Sequence, residues 1–181
     1  MGASTTLLTF EEFEQLPDTP GKRELLKGEL IELPPAKQEH NEISELIFIA
    51  LREFVHRLRL ERPDLPLGKT RIETGYQISH STWLQPDVSL THPEQPIQGY
   101  YQGAPLLAAE VVSESNTAPS IEKKINEYLT HGGRDVSVVY PETRTVWVYR
   151  EGGATRYETV LNTDSSPDSP SISNPCSSPH E

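Results

Sequence analysis

One glutamate inside an apolar run constrains this chain more than any other feature. Leu106-Leu107-Ala108-Ala109-Glu110-Val111-Val112 reads as a buried strand. An ionised carboxylate in the middle of such a strand is costly unless something compensates its charge. A second carboxylate, Asp87, follows a proline and enters another apolar run, Gln85-Pro86-Asp87-Val88-Ser89-Leu90. If the two share a site they repel, and one takes up a proton unless a cation lies between them. Hard oxygen donors suit Mg²⁺ or Mn²⁺, which typically use one or two carboxylates with water and substrate phosphate. Zinc is disfavoured, because the body of the chain has no cysteine and no histidine pair at ligand spacing. The same residues would also serve a buried Glu110–Lys124 ion pair with no ligand at all. Spacing alone leaves both readings open.

The elements around this pair follow from periodicity and punctuation. Thr9 caps a short helix through Leu16, with Glu12 three residues on as in a capping box. Residues 22–33 read as a hairpin turning at Lys27-Gly28. Glu24 alternates with Leu25 on its first strand, and by composition alone it is an exposed strand glutamate. Pro34-Pro35 leads into a long helix, Gln38 to Leu60. Its apolar stripe is Ile43, Leu46, Ile47, Ala50, Leu51, Phe54, Val55 and Leu58, and His40 extends that face to the helix start. His40 there is either a hydrogen-bonded structural residue or a group reaching a site above the helix.

Thr70–Ile78 is expected as one half-buried strand and Trp83–Leu90 as its return. Residues 91–105, rich in Pro and Gly, form a loop, and Leu106–Val112 is the central strand. Pro119 then opens a helix ending before Gly132-Gly133. At about 100° per residue, Lys124 flanks this helix's apolar stripe of Ile121, Ile125, Tyr128 and Leu129. Lys123 projects nearly opposite and is the solvated lysine. A second hairpin, Asp135–Tyr140 and Thr145–Arg150, and a last strand over 156–160 complete one α/β domain with helices flanking a mixed central sheet. Residues 1–21 form an arm, 22–162 the domain, and 163–181 a Ser/Pro-rich disordered tail.

At 181 residues the chain suits one domain with a real core. Its formal net charge of -11 argues against loose, charge-driven affinity for nucleic acid. One window runs the other way, with Arg52, Arg57, Arg59, Arg62, Lys69 and Arg71. It is either a polyanion contact or a solvated helix face. The single cysteine, Cys176, lies in the tail, so no disulfide framework exists within one chain and a reducing cytoplasm is the natural setting. The N-terminus lacks the basic and apolar regions of a signal peptide, and no stretch is long enough to span a bilayer. Neither a phosphate-cradling Gly-rich loop nor a serine nucleophile elbow occurs.

Several short motifs in order resemble a known family. They are Arg-Glu-Leu-Leu-Lys-Gly-Glu-Leu at 23–30, His40 opening a long helix, and Gln-Pro-Asp-Val at 85–88. Ala-Glu-Val-Val-Ser at 109–113 and Lys-Ile-Asn-Glu-Tyr at 124–128 follow, and the run 132–150 is similar to the family's closing hairpin. Over about residues 8–160 the chain resembles the Uma2 (Uma-two) family, restriction-endonuclease-like proteins of the PD-(D/E)xK nuclease superfamily. The resemblance implies a restriction-endonuclease-like fold and Mg²⁺-dependent (or Mn²⁺-dependent) cleavage of DNA. It makes Asp87 the metal-binding aspartate, Glu110 the central-strand acid, Glu24 an additional acid and His40 the helix-start histidine. Superfamily members usually carry a lysine two residues after the glutamate. That position is Val112 here, and Lys124 on the following helix fits the role instead.

Three readings therefore stand side by side. The first is an endonuclease in which Asp87 and Glu110 hold the metal, Lys124 stabilises charge or orients water, and Glu24 assists. The second is a non-catalytic nucleic-acid- or protein-binding module on a nuclease-like scaffold. The third is a structural protein with a buried Glu110–Lys124 pair. A homodimer would suit a nuclease that cuts both strands of a symmetric site, by analogy alone.

Overall fold

The computed structural model describes residues 7–158. The tail with Cys176, and Thr159 and Val160 of the expected last strand, lie outside the described residues.

Thr9 caps α1 (Phe10–Glu14) through a reciprocal capping box with Glu12. Phe10 is buried, and its backbone N–H donates to the His80 carbonyl at 2.8 Å, so this first turn is docked on the body. The hairpin β1 (Lys22–Leu26) and β2 (Glu29–Leu33) turns at Lys27 and Gly28, both at positive φ (54° and 80°). Two consecutive positive-φ residues match the right-handed twist of the strands they join. α2 spans Gln38–Glu61.

Next come β3 (Thr70–Ile72), β4 (Tyr76–Ser79), β5 (Thr82–Leu84) and β6 (Val88–Leu90). The expected single strands over 70–78 and 83–90 are thus each broken in two. Glu73, at φ 44°, breaks the first, and Pro86-Asp87 breaks the second. The two breaks are tied together, because the Glu73 backbone N–H donates to the Asp87 carbonyl at 3.1 Å. The region expected as a plain loop holds the short ribbon β7 (Ile97–Gln98) and β8 (Tyr100–Gln102). β9 (Leu107–Val111), α3 (Ala118–Thr130), β10 (Asp135–Tyr140), β11 (Thr145–Arg150) and β12 (Gly153–Glu158) complete the order.

The architecture is mixed α/β, with the strands divided between two mixed sheets. One has the order β2-β1-β5-β4-β8-β7, the other β12-β11-β10-β9-β6-β3. The breaks explain the division: each broken strand sends its two halves into different sheets. The main core joins the sheets with α3, through Leu26, Tyr76, Leu84, Val136, Val138, Ile125 and Tyr128. On the other face of the second sheet, Ile43 of α2 packs on Val111 and Val139. Val138 and Val139 point to opposite faces because successive strand side chains alternate.

The buried side of α2 is narrower than its sequence stripe. Ile43 and Val55 are buried, but Leu46 and Phe54 are 41% and 50% exposed. Among the described residues, no helix is long and apolar enough to cross a membrane.

Candidate functional site

Asp87 lies in the break between β5 and β6, not within a strand. Pro86 fixes its entry, and Val88 then pairs with Ala109 of β9. One antiparallel step further brings Asp87 opposite Glu110. The fit is tight, since Asp87 Oδ2 accepts the Val111 backbone N–H at 2.7 Å and His40 Nε2 lies 3.2 Å from the same oxygen. Asp87 Oδ1 accepts from Lys22 Nζ at 3.0 Å, and that ammonium also lies 3.5 Å from Glu73 Oε2. Burial alone would raise the Asp87 pKa. The His40 hydrogen bond and the Lys22 charge outweigh it and hold the carboxyl well below the usual range.

Glu110 sits in the middle of β9, buried as its apolar neighbours require. Its Oε1 accepts from the Tyr128 hydroxyl at 2.8 Å and its Oε2 from Lys124 Nζ at 3.0 Å. Tyr128 and Lys124 stand four residues apart on α3 and so share one helix face. Lys124 Nζ also lies 2.6 Å from Glu24 Oε2, while Glu24 Oε1 accepts the Gln85 backbone N–H at 3.0 Å. Burial pushes the Glu110 carboxyl up against the pull of Lys124. Burial also opposes the Lys124 charge, but Glu110 and Glu24 raise its pKa well beyond the ordinary lysine value, so it stays cationic.

The site is therefore two carboxylate pairs, each shared by one lysine. Asp87 and Glu73 flank Lys22, and Glu110 and Glu24 flank Lys124. It opens into a cleft of about 1130 Å³. Across the mouth, Lys37 pairs with Glu114 at 2.9 Å.

All five residues singled out by sequence come together here. Asp87, Glu110 and Lys124 meet as expected, with the lysine arriving from the helix. His40 reaches Asp87 from the first turn of α2; the hydrogen bond to Asp87 raises its pKa despite burial. Glu24, exposed by composition alone, is fully buried, because β1 lies between β2 and β5 and both its faces are covered. Lys123 is not simply solvated, as it pairs with Glu29 at 2.9 Å. The arginines of the basic window lie elsewhere. From His40 to Arg59 α2 rises roughly 28 Å, and Arg62 and Arg71 have partners in Asp64 and Tyr101.

Lys22, Glu73 and Tyr128 are site residues that sequence reasoning missed. Lys22 stands two residues before Glu24 on β1, so strand periodicity puts both on one face. The helical period places Tyr128 on the apolar stripe, where its ring lies, and its hydroxyl reaches Glu110 from there. Glu73 carries no such signal, since its position depends on the backbone break.

Among the described residues, no three of His, Cys, Asp and Glu converge as a ready-made metal cage. Yet two carboxylates opening to a cleft are an ordinary donor set for Mg²⁺, which keeps several waters. His40 Nδ1 is buried and has no hydrogen-bond partner among the described residues. The residues fit such an ion at Asp87 and Glu110.

A solved structure from Anabaena variabilis ATCC 29413, titled a "putative nuclease belonging to DUF820", is similar in fold. Its TM-score is 0.65 at 21% identity, over 84% of this chain and 85% of that one. No curated protein matches the chain. The family profile described as "Putative restriction endonuclease" matches residues 10–175, nearly the whole length, and on that match the chain belongs to the Uma2 family.

Proposed function

We propose that this protein is a metal-dependent endonuclease that hydrolyses DNA phosphodiester bonds. The observation that carries the reading is Asp87 opposite Glu110 at the inner end of an open cleft, with the Lys124 ammonium 3.0 Å from Glu110. Asp87 and Glu110 would hold a Mg²⁺ or Mn²⁺ ion, which when bound supplies Lewis-acid polarisation of the phosphoryl group. The chain's own residues do the rest. His40 and the Val111 N–H fix the Asp87 carboxylate, and Tyr128 fixes that of Glu110. Lys124, held cationic, can donate but not accept a proton. Its part is to hold the attacking water or a phosphate oxygen as the water–phosphorus bond forms and the bond to the leaving sugar oxygen breaks, the water's proton passing to bulk water and the leaving oxygen taking one from it. Glu24 keeps Lys124 aimed at the site.

The test is cleavage of supercoiled plasmid at low salt with Mg²⁺ or Mn²⁺. The expected result is nicking that falls at least about a hundredfold in Asp87→Ala and Lys124→Ala. Equal cleavage by all three proteins would sink the assignment.

One observation favours a second reading. The Asp87 and Glu110 carboxylates already have partners within the chain, so the scaffold is stable without an ion and would serve as a non-catalytic binding module. That reading expects the folded wild type to bind DNA without cutting it in any divalent ion.

A further inference from the structure

Asp87 and Glu110 each meet a lysine, but the two lysines are held differently. Lys124 leaves the middle of α3 and its side chain is 4% exposed between two buried glutamates. It has nowhere to go. Lys22 is the first residue of β1, and its side chain is 17% exposed and borders the cleft. Its ammonium contacts Asp87 Oδ1 at 3.0 Å and Glu73 Oε2 at 3.5 Å. Asp87 Oδ2 is already taken by the Val111 N–H and His40, so Oδ1 is the oxygen left for any other cation.

We propose that Lys22 is an internal competitor of the divalent cation, filling the ion's place beside Asp87 and leaving toward the cleft when the ion binds. This rests on the metal-dependent reading above and adds to it an exchange. Two cations cannot share Asp87 Oδ1 at contact distance without strong repulsion. The ammonium must therefore move, and the part-exposed Lys22 side chain, on the first residue of β1 at the border of the cleft, lets it swing there. There it would meet the non-bridging oxygens of a phosphodiester. The ion and a polyanionic substrate therefore assist each other's binding, and by linkage the assistance is reciprocal. Free protein holds the ion weakly, and the substrate draws Lys22 away.

The experiment is Mn²⁺ binding by calorimetry to the full chain at neutral pH without nucleic acid. Wild type is compared with Lys22→Gln, which keeps a hydrogen-bond donor without charge, with Lys22→Arg, and with Asp87→Ala. The expected result is binding at least about tenfold tighter in Lys22→Gln, no tighter in Lys22→Arg, and lost in Asp87→Ala. Unchanged or weaker binding in Lys22→Gln, with the Asp87→Ala loss intact, would overturn the exchange and leave the metal site standing. No Mn²⁺ binding by any protein, Lys22→Gln included, would overturn both.

If Lys22→Gln fails to fold, the wild type decides the matter. Its Lys22 side-chain ¹⁵Nζ resonance, identified by its absence in Lys22→Arg, should shift on Mg²⁺ titration while that of Lys124 moves less. A Lys22 resonance indifferent to Mg²⁺ at saturation would overturn the proposal.

Discussion

Burying the Glu110 carboxylate is tolerable because two donors converge on it, Lys124 at one oxygen and the Tyr128 hydroxyl at the other. A hydrogen bond to a charged acceptor contributes more than one between neutral groups. Tyr128→Phe keeps the ring in the core and removes only the hydroxyl. It should cost about 1.5–3 kcal/mol of stability, read as a lower urea midpoint with unchanged slope. No loss would mean that Glu110 is not held there as a carboxylate. At this scale the sequence was partly legible. A glutamate in an apolar run and a lysine flanking a helical stripe both announce a buried charge. Glu24 did not, because burial on both faces of β1 depends on which strands flank it. Lys22 was legible in principle, from the two-residue period it shares with Glu24.

The elements themselves were read well where the signal is local. The α1 capping box, the Lys27-Gly28 turn, α3 and the β10–β11 hairpin stand where caps, glycines and periodicity put them. Failures came where a non-local interaction decides. Thr70–Ile78 alternates like one strand, yet Glu73 turns the chain out of one sheet and into the other. In α2 the periodicity is right but Leu46 and Phe54 lie on the open shoulder, since the sheet covers only a narrow face.

β10 offers a test at this scale. Its first residue, Asp135, accepts hydrogen bonds from Arg134 and Arg150, and thereby fastens β10 to the end of β11. Burial would raise its pKa, but the two guanidinium groups outweigh that and hold it below the ordinary aspartate value. A depressed folded value contributes stability above the unfolded pKa and loses it as pH falls through the folded one. Asp135→Asn should therefore be less stable than wild type at pH 7, with the gap closing below about pH 4. Both arginines are largely solvent-exposed, so screening keeps the gap small. Urea midpoints at pH 7 and pH 3 check it, and a gap unchanged at pH 3 would refute the pairing.

Across the whole molecule, the two sheets and α3 form one core while α2 closes the far face of the second sheet. The cleft opens where α2 begins, β1 begins and the strand breaks meet, so residues far apart in sequence face one space. The net charge of -11 gives the surface at large no attraction for a polyanion, and the cleft itself is lined by Lys22, Lys37 and Lys124 against six carboxylates.

Glu110 pairs with Lys124, and under the proposed function it also holds a metal ion. Glu110→Gln tests the metal role, because the amide keeps the volume and a hydrogen-bond acceptor but loses the charge that holds a divalent ion. The measurement is the single-turnover rate of cleavage of an end-labelled DNA duplex in Mn²⁺, for wild type and Glu110→Gln. The account predicts a loss of at least about a hundredfold in a variant that remains folded by circular dichroism. Cleavage by folded Glu110→Gln at the wild-type rate would contradict it.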